Sequence, residues 1–174
     1  MNVNEFKNQI KKNPPLLDNR FEVLVVPPPV LQGQYNNEKN STISYYARTL
    51  NLGGRNVITS DVRNGKVLQL PYGNQYNTAT LTVMLDKNYT TKEFFDDWQD
   101  AILKKDTAIL KSFYKDYTAN ILINHLDESG ETSKTIRLVD SFPSVVGDIN
   151  LASDGVNNIT LISITISYRY WETL

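Results

Sequence analysis

One amphipathic segment, residues 89–103 with the sequence YTTKEFFDDWQDAIL, constrains the fold more than any other stretch. Phe94, Phe95 and Trp98 recur at the three-and-four spacing that lines one face of a helix, and Ile102 extends this stripe. Three aromatic side chains on one short helix must pack on a large apolar surface, and only β-sheets offer one in this chain. The stripe therefore predicts a helix that packs on sheets. Core packing is favoured over a cofactor or partner groove.

Local signals mark where the predicted helices begin and end. Thr90 followed by Glu93 has the spacing of a capping box, which predicts a helix start. Residues 3–12 place three apolar side chains at helical spacing, and two prolines from Pro14 onward stop any helix there. We therefore expect a short N-terminal helix or arm within residues 1–19.

Alternation with a period of two predicts strands through most of the remaining chain. The predicted ranges are 20–26, 43–50, 66–71, 78–86, 119–126, 135–142, 145–151 and 159–171. Pro143 is expected to end a strand, because proline cannot donate to a strand ladder. The predicted core residues are Phe94, Phe95, Trp98 and Ile102 on the helix, with Ile162, Ile164 and Ile166 on the last strand. Asn64–Gly65 is a strong turn signal, and Gly53–Gly54 is better explained by a turn than by a phosphate loop.

Composition limits the classes of function that the chain can perform. Its 174 residues have the length of one domain, 1–174. It contains no cysteine and a single histidine, His125, which favours a strand histidine over a metal ligand or a catalytic base. No nucleophile stands beside a base, and a solvated helix face explains the acidic side chains near Asp96. We therefore predict no catalytic residue, no cofactor and no metal.

Charge and hydropathy exclude further classes of protein. Eighteen basic residues against nineteen acidic ones give a net charge of −1, without the basic patch of a duplex-binding protein. The N-terminus lacks the apolar segment of a signal peptide, and no apolar run approaches the roughly 18 residues of a membrane span. We therefore expect a soluble protein that is kept inside a cell and does not contact a membrane.

Four segments carry a pattern that extends from Arg20 to Glu172. They are NRFEVLVVPPP, YYARTLNLGGRNVITSDVR, LPYGNQYNTATLTVMLDKNYTTKEFFDDWQ and SFPSVVGDINLASDGVNNITLISITISYRYWE. In the last segment, Phe142–Pro143, a DIN segment, an Asp-rich turn and a closing Tyr-Arg-Tyr-Trp occur as a set. Taken in this order, the four segments resemble the tail tube proteins of contractile-tailed bacteriophages.

This resemblance implies a mainly β fold, a two-sheet antiparallel β-barrel or sandwich with one flanking helix at about residues 89–103. It implies a structural virion protein and not an enzyme: six copies form a ring, and rings stack into the inner tail tube that delivers the genome. The implied partners are the tail sheath, baseplate and tail-terminator proteins, with double-stranded DNA passing through the lumen without specific binding. The implied location is the phage tail, assembled in the host cytoplasm. A baseplate tube initiator, or a tube subunit of a related injection or secretion machine, stays open as an alternative.

Contacts between subunits are expected at exposed sheet edges, which close the ring, and at segments that reach beyond the sheets, which stack one ring on the next. Those segments are the N-terminal arm, a mobile loop at 32–42 and the turn at 52–55. The predicted contact residues are Phe6, Gln34, Asn37, Leu52, Gly53, Gly54, Arg55, Tyr170 and Trp171.

Two other classes of function stay open from the sequence. A small-ligand binding barrel would need an unfilled interior of several hundred cubic ångströms, lined by apolar groups with a few polar ones. An enzyme would need a site assembled from aspartate and lysine alone.

Overall fold

The computed structural model describes residues 2–12, 14–35, 43–103, 109–151 and 158–174, and the fold is mainly β. The helices are α1 (Val3–Lys12), α2 (Thr90–Ile102) and α3 (Tyr114–Tyr117), with a 3-10 turn at Pro29–Leu31. The strands are β1 (Phe21–Val25), β2 (Ala47–Asn51), β3 (Arg55–Asn64), β4 (Lys66–Tyr76), β5 (Ala79–Met84), β6 (Ala119–Leu126), β7 (Thr132–Val146), β8 (Leu161–Ser167) and β9 (Tyr170–Thr173). The predicted fold class, mainly β with one flanking helix and a short N-terminal helix, is confirmed.

Seven of the strands form two antiparallel layers. β1, β6, the first part of β7 and β9 make sheet A, while β2, β5, β8 and the last part of β7 make sheet B. The strand order through both sheets is β1-β6-β7-β8-β5-β2. Within the described part of the chain, β1 pairs only with β6 and β2 pairs only with β5. The fold is therefore a sandwich, and the sheet is not closed into a barrel.

β7 passes from one sheet to the other between Ser141 and Phe142, close to Asp140. Its first part pairs with β6 and β9, and the part from Phe142 onward pairs with β8. Asp140 has a φ of 53°, in the left-handed region that aspartate tolerates better than most residues. Its carboxylate lies 3.6 Å from the Arg169 guanidinium. The residue with positive φ thus lies two positions before Phe142, where pairing with the second layer begins.

Three predictions for the C-terminal strands were wrong. Pro143 does not end a strand, and the strand predicted at 145–151 is only the end of β7, which continues past Pro143 to Val146 with a register shift between Pro143 and Val145. An irregular position tolerates proline, because the regular ladder bond is already interrupted there. The single strand predicted at 159–171 is two strands, because after Ser167 the chain crosses to sheet A, where β9 pairs with β7.

Two predictions for the N-terminal half also need correction. The strand predicted at 43–50 begins with a helical turn at 43–46, where Ile43 is buried, and only then becomes β2. The strand predicted to end at Pro71 runs on to Tyr76 as β4. Pro71 lies at a register shift opposite Thr59, the kind of irregularity that accommodates proline.

The aromatic stripe of α2 is buried against β7 and the rest of the core. The Trp98 ring stacks on Phe95 with 6.4 Å between centroids, and the Trp98 Nε1 donates to the Tyr117 carbonyl at 2.6 Å. Ile102 is only partly buried. The same core contains Ile162, Ile164, Ile166, Leu81, Val83, Val23, Ile121 and Leu138 from the two sheets. Among the described residues, no helix has the length and apolarity needed to cross a membrane.

The start of α2 differs from the predicted capping box. The cap residue is Tyr89, with a φ of 58° and no side-chain cap. The Thr90 hydroxyl instead donates to the Asp86 carboxylate at 2.9 Å, and Asp86 also accepts the Asn88 backbone N–H at 3.3 Å. A carboxylate placed before the first turn complements the positive end of the helix dipole. The Asp86 carboxylate also accepts the Thr91 backbone N–H of the first turn at 3.5 Å, so it supplies the acceptor that the sequence assigned to Thr90.

Candidate assembly surfaces

β3 and β4 form a separate two-stranded sheet, which we call the β3–β4 arm. Its strands pair from Arg55–Tyr76 out to Asn64–Lys66, and Gly65 makes the turn with a φ of 79°. An L-residue rarely adopts that φ, so glycine is required by the turn. Isolated two-stranded sheets are marginally stable in water. The arm is therefore a candidate for packing on another molecule.

The arm exposes a row of apolar side chains. Leu68 and Leu70 alternate onto one face and are 58% and 44% exposed, and Val62, paired with Leu68, is also exposed. Clustered exposed apolar groups mark protein contact surfaces. The sequence reasoning missed the arm and predicted only a turn and a short strand. The signal that could have found it is the strong turn at Asn64–Gly65 with β-prone residues on both sides.

The predicted contact turn before β3 forms the root of this arm. The Arg55 guanidinium lies 6.0 Å from the centre of the Tyr76 ring, and that ring contacts Trp171 edge to face at 6.3 Å. The Tyr168 hydroxyl donates to the Gly53 carbonyl at 3.2 Å, and burial raises the pKa of Tyr168. The structure thus brings together Gly53, Arg55 and Trp171. Their roles in assembly stay predictions.

Gly53 and Gly54 provide a matched test of how tightly the root is packed. A Cβ on Gly53 would overlap the Asn77 carbonyl and lie 2.6 Å from the Thr78 carbonyl oxygen, whereas a Cβ on Gly54 meets open space. Gly53→Ala should cost about 1–3 kcal/mol of stability through overpacking. Gly54→Ala should stay within about 0.5 kcal/mol of the parent. Thermal unfolding followed by circular dichroism would measure both, and equal melting temperatures would contradict this packing.

The remaining predicted contact residues have different surroundings. Phe6 on α1 is 48% exposed, Leu52 is partly buried against the core, and Tyr170 pairs with Val139 in sheet A. Asn37 lies outside the described residues. Leu52 belongs to the turn that forms the arm root and Tyr170 precedes Trp171 in β9, whereas Phe6 lies on a separate helix.

The described part of the predicted mobile loop is held on α2. The Gln34 side chain donates to the Asp97 carboxylate at 3.1 Å, and the buried Tyr35 hydroxyl donates to the same carboxylate at 2.6 Å. Burial and Asp97 together raise the pKa of Tyr35 well above its usual range. Gln34, a predicted contact residue, is therefore already engaged within its own chain.

A cleft of about 710 Å³ opens where β1 and β2, the two ends of the strand order, face each other. We call it the seam cleft. Its lining is Leu16, Leu17, Asp18, Asn19, Phe21, Ala47, Arg48, Thr49, Leu50, Leu52, Ile123, His125 and Ile136. The volume is that of a small-molecule site, but the cleft lies between strand edges and not inside a closed barrel. His125 is here, and the described residues contain no group of three or more metal-ligating side chains.

The sequence of the chain matches known phage proteins. A model of the family described as phage tail tube protein matches residues 16–174. The tail tube protein gp19 of Enterobacteria phage T4 is 27% identical over 98 residues, which cover 56% of this chain and 60% of that protein. The tail tube protein gp19 of phage T6 is 26% identical over the same shares of both chains. The chain thus spans about 60% of the length of the curated relatives that it matches.

Solved structures share the fold. A chain in the sheath-tube complex of the extracellular contractile injection system PVC, in its extended state, has a TM-score of 0.65 at 17% identity over 96% of both chains. A chain of the anti-feeding prophage baseplate has a TM-score of 0.63 at 16% identity, covering 92% of this chain and 95% of that one. These structural likenesses concern the fold, whereas the family match rests on sequence and covers nearly the whole length. The chain therefore belongs to the phage tail tube protein family.

Proposed function

We propose that six copies of this chain close into a ring and that rings stack into the inner tube of a contractile tail. The observation that carries the proposal is the β3–β4 arm, whose apolar side chains are exposed in the single chain. An element of this kind is stable when it packs on a neighbour. The edges of β1 and β2 offer further backbone groups for pairing between subunits. Repeating one heterologous contact until it closes produces a ring.

The proposed role is a conduit for double-stranded DNA in the virion tail, assembled in the host cytoplasm. A net charge of −1 supports this role. Each DNA phosphate neutralised by a basic side chain would add salt-dependent affinity, and DNA that passes through a tube must not bind it tightly. The proposed partners are a surrounding sheath, a baseplate that starts the tube and a terminator that ends it. Family membership and the fold shared with chains of a sheath-tube complex and a baseplate support these partners. No catalytic residue is assigned.

Electron microscopy of the purified chain, with native mass spectrometry, tests the proposal. We expect six-chain species and hollow filaments with sixfold end views, formed spontaneously or on added baseplate. Filaments of many rings indicate the bulk tube, whereas single rings that seed a different tube protein indicate an initiator. A chain that stays monomeric under every nucleating condition would refute the ring. A DNA mobility-shift assay at physiological salt should show no stable complex, and tight binding would refute the conduit role.

A further inference from the structure

α1 is a helix without a packing surface in its own chain. Among the described helices it alone buries no residue, and its apolar stripe of Val3, Phe6 and Ile10 is 65%, 48% and 42% exposed. A helix of ten residues is marginal in water without tertiary packing. α1 therefore needs an apolar surface outside the helix itself to be a stable helix.

The seam cleft offers an apolar surface on which the apolar stripe of α1 could pack. Phe21, Leu50 and Ile123 give it an apolar floor. Leu16 and Leu17 border both this cleft and a smaller adjoining one of about 180 Å³, whose lining includes residues of the β6–β7 turn. The two clefts share Leu16 and Leu17, and we call them together the trough, which extends from the seam to that turn.

α1 and the turn beside the smaller cleft carry opposite charges. α1 carries Lys7, Lys11 and Lys12 against one acid, Glu5. The β6–β7 turn at 127–131 carries three carboxylates and no base. The Asp127 carboxylate accepts the Ser129 hydroxyl at 2.6 Å and the backbone N–H groups of Glu131 and Ser129 at 2.9 and 2.8 Å, and these bonds lower its pKa. Arg48 lines the seam cleft and Arg20 the smaller one, but the turn itself carries only acids, so a basic amphipathic helix matches the trough at its 127–131 end.

We propose that α1 of one subunit docks its Val3–Phe6–Ile10 stripe into the seam cleft of a second copy of this chain, with its lysines toward the acidic turn at 127–131. The second copy is the occupant because α1 buries nothing against its own chain. Both surfaces are present on every copy, so the contact is heterologous and propagates from subunit to subunit. The biological meaning of this contact rests on the proposed tube, but the contact itself is testable separately.

Cysteine cross-linking of the full chain tests the docking directly, because the sequence contains no cysteine. Phe6→Cys lies on the docking stripe, and Thr49→Cys is an exposed position that lines the cleft. Equal amounts of the two single variants, treated with a short bismaleimide cross-linker, should give a covalent dimer. The control replaces Phe6→Cys by Asn8→Cys, two residues along and therefore on the opposite side of the helix, and should give several-fold less dimer.

A charge exchange is the second test of the docking. Lys7, Lys11 and Lys12 changed together to Glu should lower the dimer yield several-fold, and Asp127, Glu128 and Glu131 changed to Lys in the cleft-bearing partner should restore it. Failure of this restoration overturns the assigned orientation.

The dimer yield and ring formation are scored separately. Rings that assemble with no more Phe6–Thr49 dimer than the Asn8 control overturn the docking and leave the tube proposal intact. A specific dimer in a chain that never forms rings supports the docking and overturns the tube proposal. Cross-links that form only within a Phe6→Cys, Thr49→Cys double variant, and never between single variants, place α1 on its own cleft and overturn the inference.

Discussion

Trp98→Ala is expected to lower the melting temperature by about 6 to 20 °C. The indole is fully buried, and its Nε1 donates to the Tyr117 carbonyl at 2.6 Å. Truncating a buried tryptophan costs about 3–5 kcal/mol, and in a domain of this size each kcal/mol corresponds to about 2–4 °C. The loss combines the cavity beside Phe95 with a carbonyl left without its donor. Thermal unfolding by circular dichroism measures the effect.

A pair of conservative substitutions separates the lost hydrogen bond from the lost volume. Trp98→Phe keeps an aromatic ring but removes the donor to Tyr117, which should cost about 1–3 kcal/mol. Trp171→Phe is the control: this tryptophan is partly buried, and its Nε1 has no hydrogen-bond partner among the described residues. It should stay within about 1 kcal/mol of the parent. A Trp98→Ala protein that melts within about two degrees of the parent would mean that the aromatic stripe does not anchor α2.

Changing both Leu68 and Leu70 to Ser on the β3–β4 arm is expected to abolish tube formation while the single chain stays folded. Both side chains are largely exposed in the monomer, so their removal should change its stability by only about 0.5 kcal/mol. In a tube they would be buried against a neighbour, and each loss of a buried leucine side chain weakens that contact by about 1.5–3 kcal/mol. The loss recurs at every subunit. Filament length in electron micrographs and monomer melting temperature measure the two effects.

The matched control for the arm is Gln69→Ser. Gln69 lies between the two leucines in β4, so its side chain points to the opposite face of the arm. This variant should form filaments of parental length. If the double leucine variant also forms filaments of parental length, the apolar face of the arm does not carry assembly, and the ring contacts lie elsewhere.

The sequence was informative where structure is decided locally. The α2 stripe predicted a helix within one residue of each end, because residues three and four apart on a helix necessarily share a face. β1 and β6 followed from alternation over a few residues. The capping of α2 was mispredicted because Tyr89, the cap residue, adopts a left-handed conformation, and the Asp86 carboxylate accepts the Thr91 backbone N–H. No residue pattern identifies such a conformation at a tyrosine.

The sequence was uninformative where distant parts of the chain decide the structure. Residues 161–173 could form one strand or two. They form two because β9 pairs with an edge of β7 that lies about thirty residues earlier in the chain. The seam cleft exists because β1 and β2 end the strand order on opposite sides, although they are close in sequence. The β3–β4 arm was missed for another reason: beyond its root at Tyr76 its apolar side chains are exposed, so no buried face imposes a clean apolar and polar alternation on its strands.

The passage of β7 through both sheets has a mechanical consequence. Packed layers slide over each other when side-chain contacts exchange, which is the basis of shear motions in proteins. Here the two layers share one continuous backbone through Asp140, so a load applied to sheet A reaches sheet B along peptide bonds as well as across the core. Sliding of one layer would have to break the ladder of β7 with β6 or with β8. The sandwich therefore responds to a load as one body, which is what the proposed tube requires of its subunit.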